Sequence, residues 1–460
     1  MTLSKGNFAI NSILLTNIIF GLFPLSFIAG NLITNINFFL FCCLGIFHLK
    51  SKNISNKINF PIKVILIFFL LVLFSTILNL LESLYYGDYK QSDLSRVIKS
   101  VLFFRFFIIL GILYLLSEFD IINYKYFFLS ASILPILISA DIIFQFFFGY
   151  NFIGIKSHGH HNTSFFGDEL IAGGYIQNFS FYSILFFSFL LGKYKNLYKN
   201  LLNTFLICFL ATGILLSANK MPFALFLLGL FLLFVFSKER RKIILLSSLL
   251  IFFIFGFIRS IDDNLKYSYN SFYSGIYKTT TGISKNIKNN FLNSTNQDEK
   301  ENVKCAWRDK LCVDPEADSY KKLFFTSVEI WKTNKIFGNG IKSFRIECHK
   351  VINEKEGALC SNHPHNYYLE ILVDLGVAGL VLVTIIALIF FIFLIKNYKL
   401  ISKNNLHSLF LLASVINIFL QFFPIKSTGS IFTTNNATYI ILISSILLTY
   451  KKLLKEKNFE

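Results

Sequence analysis

The chain is short of charge. Only 15% of its 460 residues are Asp, Glu, Lys or Arg, whereas 54% are hydrophobic; an ordinary soluble domain carries about 25% charged residues. No soluble core hides that much Phe, Leu and Ile, so a row of soluble domains is excluded and a bilayer must serve as the apolar phase. Acid is scarcer than base, with 26 Asp and Glu against 44 Lys and Arg and a net charge of +18. Such an excess points to nucleic acid only where it forms a patch, and its placement below shows none. No small-x-small site closes the first apolar stretch after Lys5, so a cleaved secretory signal is not expected. The seven cysteines lack CxxC-type spacing, which weakens the rival reading of a zinc site. The two halves of the chain do not resemble each other, which argues against the duplicated plan common in carriers.

What is present is a series of apolar runs. A membrane helix needs about 20 mostly apolar residues, and twelve candidates lie near 8–30, 33–48, 60–80, 99–117, 126–149, 174–191, 200–216, 221–237, 242–259, 376–395, 405–425 and 430–450. The expected fold is all-α integral membrane, about 12 transmembrane helices with one long periplasmic segment between helices 9 and 10. It divides into 1–259 (helices 1–9), 260–365 (the outer segment) and 366–460 (helices 10–12). Short cytoplasmic loops carry an excess of Lys and Arg. With both termini placed inside, the inner segments hold nineteen basic residues, among them Lys50, Lys52, Lys195, Arg240, Arg241, Lys396 and Lys452, against five acidic ones. Most of the positive charge is thus a topology signal, and no nucleic-acid partner is expected.

The outer segment is polar, and its tract 283–302 reads as flexible. Cys42, Cys43 and Cys208 fall in apolar runs, but Cys305, Cys312, Cys348 and Cys360 all fall in the outer segment. Disulfides persist in the periplasm, and Cys305–Cys312 with Cys348–Cys360 is the most local of three connectivities.

Three constellations could carry chemistry. The first is Cys360-Ser-Asn-His363-Pro-His365-Asn366, followed by Glu370, Asp374 and Gly376-Val-Ala-Gly379. It sets a His-Asn pair at the outer mouth of a span, where small residues would let a second helix approach. Neutral His is a base suited to pH 7; a lone His there would more simply cap a helix or touch lipid, but two His with Asn and two acids a turn apart favour function. The second is Ser217-Ala-Asn219-Lys220-Met-Pro222, a short outer loop whose Lys could meet phosphate or merely snorkel. The third joins Asp141 and Gln145, late in a span, to His158-Gly-His160-His161 and Phe166-Gly-Asp168-Glu169. An ionisable group within a span is costly and usually functional, with Arg105 the expected partner of Asp141. The three His could mimic a metal site, but no metal and no cofactor are expected.

His365-Asn366 followed by Gly376-x-x-Gly379 resembles the signature of bacterial O-antigen ligases and polymerases. So does the upstream Leu323–Arg345 stretch, with its Gly338-Asn-Gly340-x-x-x-Phe344 turn. The resemblance implies inverting, metal-independent transfer of an undecaprenyl-diphosphate-linked oligosaccharide at the periplasmic face of the inner membrane. The acceptor would be lipid A-core in a ligase or another repeat unit in a polymerase; transfer to a protein would differ only in acceptor. His365 would be the base. Lys220, where the family usually has Arg, would bind the diphosphate with Arg345 and Arg105, and Asn366, His363, Asp168 and Glu169 would contact substrate. A polytopic transporter or flippase is the competing reading.

Overall fold

The computed structural model describes residues 5–54, 58–274, 315–355, 358–401 and 405–449. The expected flexible tract 283–302, Cys305 and Cys312 lie outside the described residues.

All twelve apolar runs fall on helices. Among the described residues, seven helices are long and apolar enough to cross a membrane: Asn31–Leu49, Phe60–Tyr85, Gln91–Glu118, Lys125–Phe148, Asn196–Leu216, Lys238–Ile261 and Tyr367–Asn397. Four shorter apolar helices join them, Asn11–Gly21, Lys220–Phe236, Leu406–Gln421 and Thr434–Leu448. The helix Ala172–Leu190 belongs to neither group because Gln177, Asn178 and three serines dilute it. Its place explains the polarity: it packs against Lys125–Phe148, Asn196–Leu216, Lys220–Phe236 and Leu406–Gln421, and protein rather than lipid satisfies its polar groups. Tyr182 Oη and Ser414 Oγ lie 2.9 Å apart, and Ser183 Oγ donates to Ser132 O at 2.7 Å. The chain is a multi-pass membrane protein.

Three expected spans differ in detail. The first is two helices, Lys5–Gly21 and Phe23–Ile28, because Pro24 starts a new first turn. The fourth starts earlier and bends at Phe104, between Gln91–Phe103 and Arg105–Glu118. The tenth begins at Tyr367 rather than 376 and is broken at Gly376, where φ is 62° and ψ −161°. Within the long segment before it, Pro315–Thr333 and Phe344–Glu354 form a small helical hairpin. Leu323, Ile330, Phe344 and Cys348 bury against Val373 of the broken helix.

Candidate active site at one end of the bundle

The foundation is the break at Gly376. Through it passes the turn that follows Pro315–Thr333. Asn339 N donates to Val373 O and Gly340 N to Asp374 O, both at 2.9 Å; Val377 N donates to Lys335 O at 2.9 Å and Ala378 N to Ile336 O at 3.0 Å. A Cβ on Gly376 would run into Ile336 O, and one on Gly338 into the Asp374–Gly376 backbone. Positive φ at Gly338, Gly340 and Gly376 makes the same demand for glycine. Gly376-x-x-Gly379 therefore does not serve helix packing as expected. Gly376 admits a backbone turn, and the atoms nearest to a Cβ on Gly379 belong to Leu375 and Ile371 of its own helix. Asp374 fastens the next residues: its carboxylate accepts from Lys342 N at 2.6 Å, Ser343 N at 3.0 Å and Ser343 Oγ at 2.7 Å. From the other side, Ser75 Oγ donates to Phe337 O (2.6 Å), Asn79 to Gly338 O (2.9 Å) and Arg96 to Asn339 O (2.7 Å).

His365 sits just ahead of the broken helix. Its φ is 58°, a left-handed conformation uncommon for any residue but glycine. Three anchors impose it. The Cys348–Cys360 disulfide, Cα atoms 5.2 Å apart, holds the chain before it. Thr428 N donates to His365 O at 3.0 Å, and Asn366 Nδ2 to Pro424 O at 2.8 Å. Glu370, on the next turn, accepts from Ile431 N at 2.8 Å. Asn366 and the two acids thus position backbone. The His365 ring packs 4.2 Å from that of His363 and edge-on to Tyr320, 6.2 Å away, whose hydroxyl accepts from Ser427 Oγ at 3.0 Å. Burial lowers both imidazoles, and the His365 neighbour lowers His363 further, to about 4. At neutral pH both are uncharged.

The Asp141 loop is a second built structure. Asp141 does not meet Arg105; it accepts from Phe152 N at 2.8 Å and Ser164 Oγ at 2.5 Å. Gln145 takes Ser164 N at 2.8 Å, and Asn162 Nδ2 donates to Leu216 O at 2.7 Å. These bonds tie the loop to the end of Asn196–Leu216. His158, His160 and His161 do not converge their nitrogens on a point; among the described residues, only Cys348, His349 and Cys360 bring metal-ligand atoms together, and the two sulfurs are bonded to each other. Asn219 grips the following strap, accepting from Gly173 N at 2.9 Å and donating to Leu170 O at 3.0 Å. Lys220 opens the next helix, half-buried beside His161. Asp168 and Glu169 are exposed on the strap.

The expected cations fall into separate places. Arg345 stands beside Lys342, whose ammonium pKa is lowered by burial first and then by Arg345, with Arg105 adding to it. Lys99, which faces Arg345, Lys342 and Arg96, extends this cluster. Arg105 donates to Thr434 Oγ1 at 3.2 Å and lies over the rings of Phe106 and Phe38. Lys220 belongs to the opposite flank, by the His loop.

Between the flanks opens a cavity of about 300 Å³, whose walls come from residues 166–179, 219–225, 421–429 and 435–439. Lys426 lines it, and sequence reasoning missed this residue. Only 9% exposed, its ammonium donates to Gln421 Oε1 at 2.6 Å and lies 5.9 Å from the Tyr367 ring centre. Burial lowers it to about 7. The available signal was a single basic residue in Pro424-Ile-Lys-Ser-Thr-Gly429, a tight turn between two apolar runs.

The loops that meet here are the ones the Lys/Arg distribution puts on one side, and together they offer a neutral imidazole, two groups of cations and a walled polar cavity. No curated protein matches the chain. Residues 205–384 match the family described as O-Antigen ligase, a stretch reaching from the helix before Lys220, through the Gly338–Gly340 turn and His365, into the broken helix. The chain is a membrane protein that carries an O-antigen ligase family domain.

Proposed function

We propose that the protein is a periplasmic-face glycosyltransferase of the inner membrane, which moves a glycan from undecaprenyl diphosphate to lipid A-core. The family domain supports a glycan-joining enzyme with lipid-linked substrates; reaction and acceptor are the proposal. His365 accepts the proton of the acceptor hydroxyl as that oxygen attacks the anomeric carbon from the face opposite the departing diphosphate, inverting its configuration. Negative charge grows on the leaving diphosphate, and fixed cations stabilise it. Arg345 with Lys342, Arg105 and Lys220 are the groups assigned to that charge. No step needs a metal, because the cations of the chain take the electrostatic role.

One observation carries this reading: a half-buried, neutral imidazole is locked in a left-handed backbone just ahead of the helix whose Glu370 and Asp374 face the Lys342 cluster, and those cations lack enough acidic partners of their own. Lys342, Arg345, Lys99 and Arg105 gather where the nearby carboxylates of Glu370 and Asp374 are already committed to backbone donors. Such a cluster favours a polyanion.

The test is a gel of surface polysaccharide from a strain deleted for the gene. Full-length polymer stranded on its lipid carrier is the result expected of a ligase. A single repeat capped onto the core identifies a polymerase, which would use the same residues on a different acceptor. An unchanged glycan would sink the glycosyltransferase reading and leave a transporter or flippase.

A further inference from the structure

Lys426 stands apart from the cations assigned above. It is the charged side chain that lines the cavity between the flanks, and its surroundings are chosen for neither water nor lipid. Asn178, Asn219, Asn435 and Asn436 line the cavity with it, along with Thr428 and Gln421. The rings of Phe27, Tyr175, Phe179 and Tyr439 also face it. Asn219 and Gln421 are committed to protein partners, but the amides of Asn178 and Asn435, set among aromatic side chains, suit a sugar ring, whose hydroxyls want paired partners and whose C–H faces want apolar cover. A volume of about 300 Å³ is at the lower end of small-molecule sites, typically about 300–1,000 Å³. A buried ammonium held by neutral groups, an amide oxygen and a ring, leaves its charge uncompensated, and burying a charge without a counter-charge is costly. An anionic ligand removes that cost.

We infer that this cavity binds a glycosyl phosphate: the sugar fills the amide and aromatic walls, and Lys426 pairs with the phosphoryl group. The inference rests on the transferase reading for its place in the reaction, where it seats the sugar next to the diphosphate within reach of the His365 loop. Thr428 belongs to both structures, since it lines the cavity and its N–H holds His365 O. Filling the cavity therefore bears on the loop that carries the base.

The test is binding to the purified full-length protein in nanodiscs, by calorimetry and thermal shift. The probes are glucose 1-phosphate, inorganic pyrophosphate, glucuronate and glucose. Glucose 1-phosphate should bind and raise the melting temperature, and glucose at equal concentration should not. Lys426→Gln should raise the Kd for glucose 1-phosphate about tenfold or more, the loss expected of one charge-assisted hydrogen bond, and Lys426→Arg should keep most of the affinity. Pyrophosphate binding as tight as that of the sugar phosphate would overturn the sugar half of the inference, and glucuronate binding better would overturn the phosphate half. If Lys426→Gln does not fold, Asn178→Asp sets a negative charge in the same cavity and should weaken binding by a similar factor. Unchanged affinity in a folded variant of either kind overturns the site. Transfer measured on His365→Ala separates the two readings: phosphate-dependent binding through Lys426 alongside undiminished transfer would leave this site standing while refuting the proposed mechanism.

Discussion

The two ends of the helical bundle are built by different chemistry. At the end rich in Lys and Arg, connections are short and the charges mostly decorate them: Lys52 lies over the Phe119 ring, and Lys238 and Glu239 are exposed. Arg240 is the exception, buried and donating to Ser188 and Ser237 hydroxyls. At the other end, side chains bond mainly to the backbone of a different loop. Asp141 takes Phe152 N, Asn219 takes Gly173 N, Asn366 donates to Pro424 O, Glu370 takes Ile431 N and Asp374 takes Lys342 N. Side chains that fix foreign backbone make a rigid shell, and rigid loops of this kind are where proteins place binding and catalysis. One end carries the surplus of Lys and Arg on its surface, which tolerates exchange; the other sets geometry, which does not.

Substitutions can break this contrast in order of expected effect. His365→Ala should lower transfer by about 10²–10⁴-fold, the usual contribution of a general base, with membrane levels on an immunoblot unchanged. Normal surface glycan from such a strain would place the base elsewhere. Asp374→Ala strands two buried N–H groups, at a cost of roughly 1–3 kcal/mol each, so thermal unfolding of the purified protein should shift down markedly. An unshifted transition would mean that the 338–343 turn is held without it.

The pH profile sharpens the comparison further. His365 is lowered by burial, so the base form is lost only as pH falls below the ordinary histidine value of about 6.5. Lys426, lowered to about 7, carries its charge below that pH and loses it above. Transfer should therefore fall on both sides of a maximum, and Lys426→Arg should move the alkaline limb upward while leaving the acid limb in place. An alkaline limb unmoved by Lys426→Arg would assign it to another group. The smallest effect belongs to the opposite end: Lys238→Gln, at an exposed site, should change stability by no more than about 0.5 kcal/mol and leave transfer untouched in the same assays.

Much of this was legible in the residues. Among the described residues hydropathy located every apolar helix, because the period and length of such runs are local properties. Gly338, Gly340 and the His365 stretch pointed to the candidate site because glycines and paired polar residues punctuate an otherwise apolar chain. What failed did so where tertiary partners decide. Asp141 looked as if it needed a cation, but it found N–H and O–H donors on a loop that folds back over it. Gly376 looked like a contact for a neighbouring helix, since no sequence pattern announces that a turn nearly forty residues earlier passes through the break. Lys426 escaped notice because one lysine in a turn resembles any solvated lysine until the walls around it are known.

The left-handed backbone of His365 has a consequence for handling the protein. A non-glycine residue at such a φ costs on the order of 1–3 kcal/mol, and here the anchors on either side absorb it. Glycine at 365 would release that strain while deleting the imidazole. His365→Gly should therefore melt higher than the wild type in the same detergent and accumulate at least as well, while lacking the imidazole of the proposed base. Disabled enzymes are often fragile. This one should be sturdier than its parent, and so a good vessel for trapping the proposed lipid-linked donor intact.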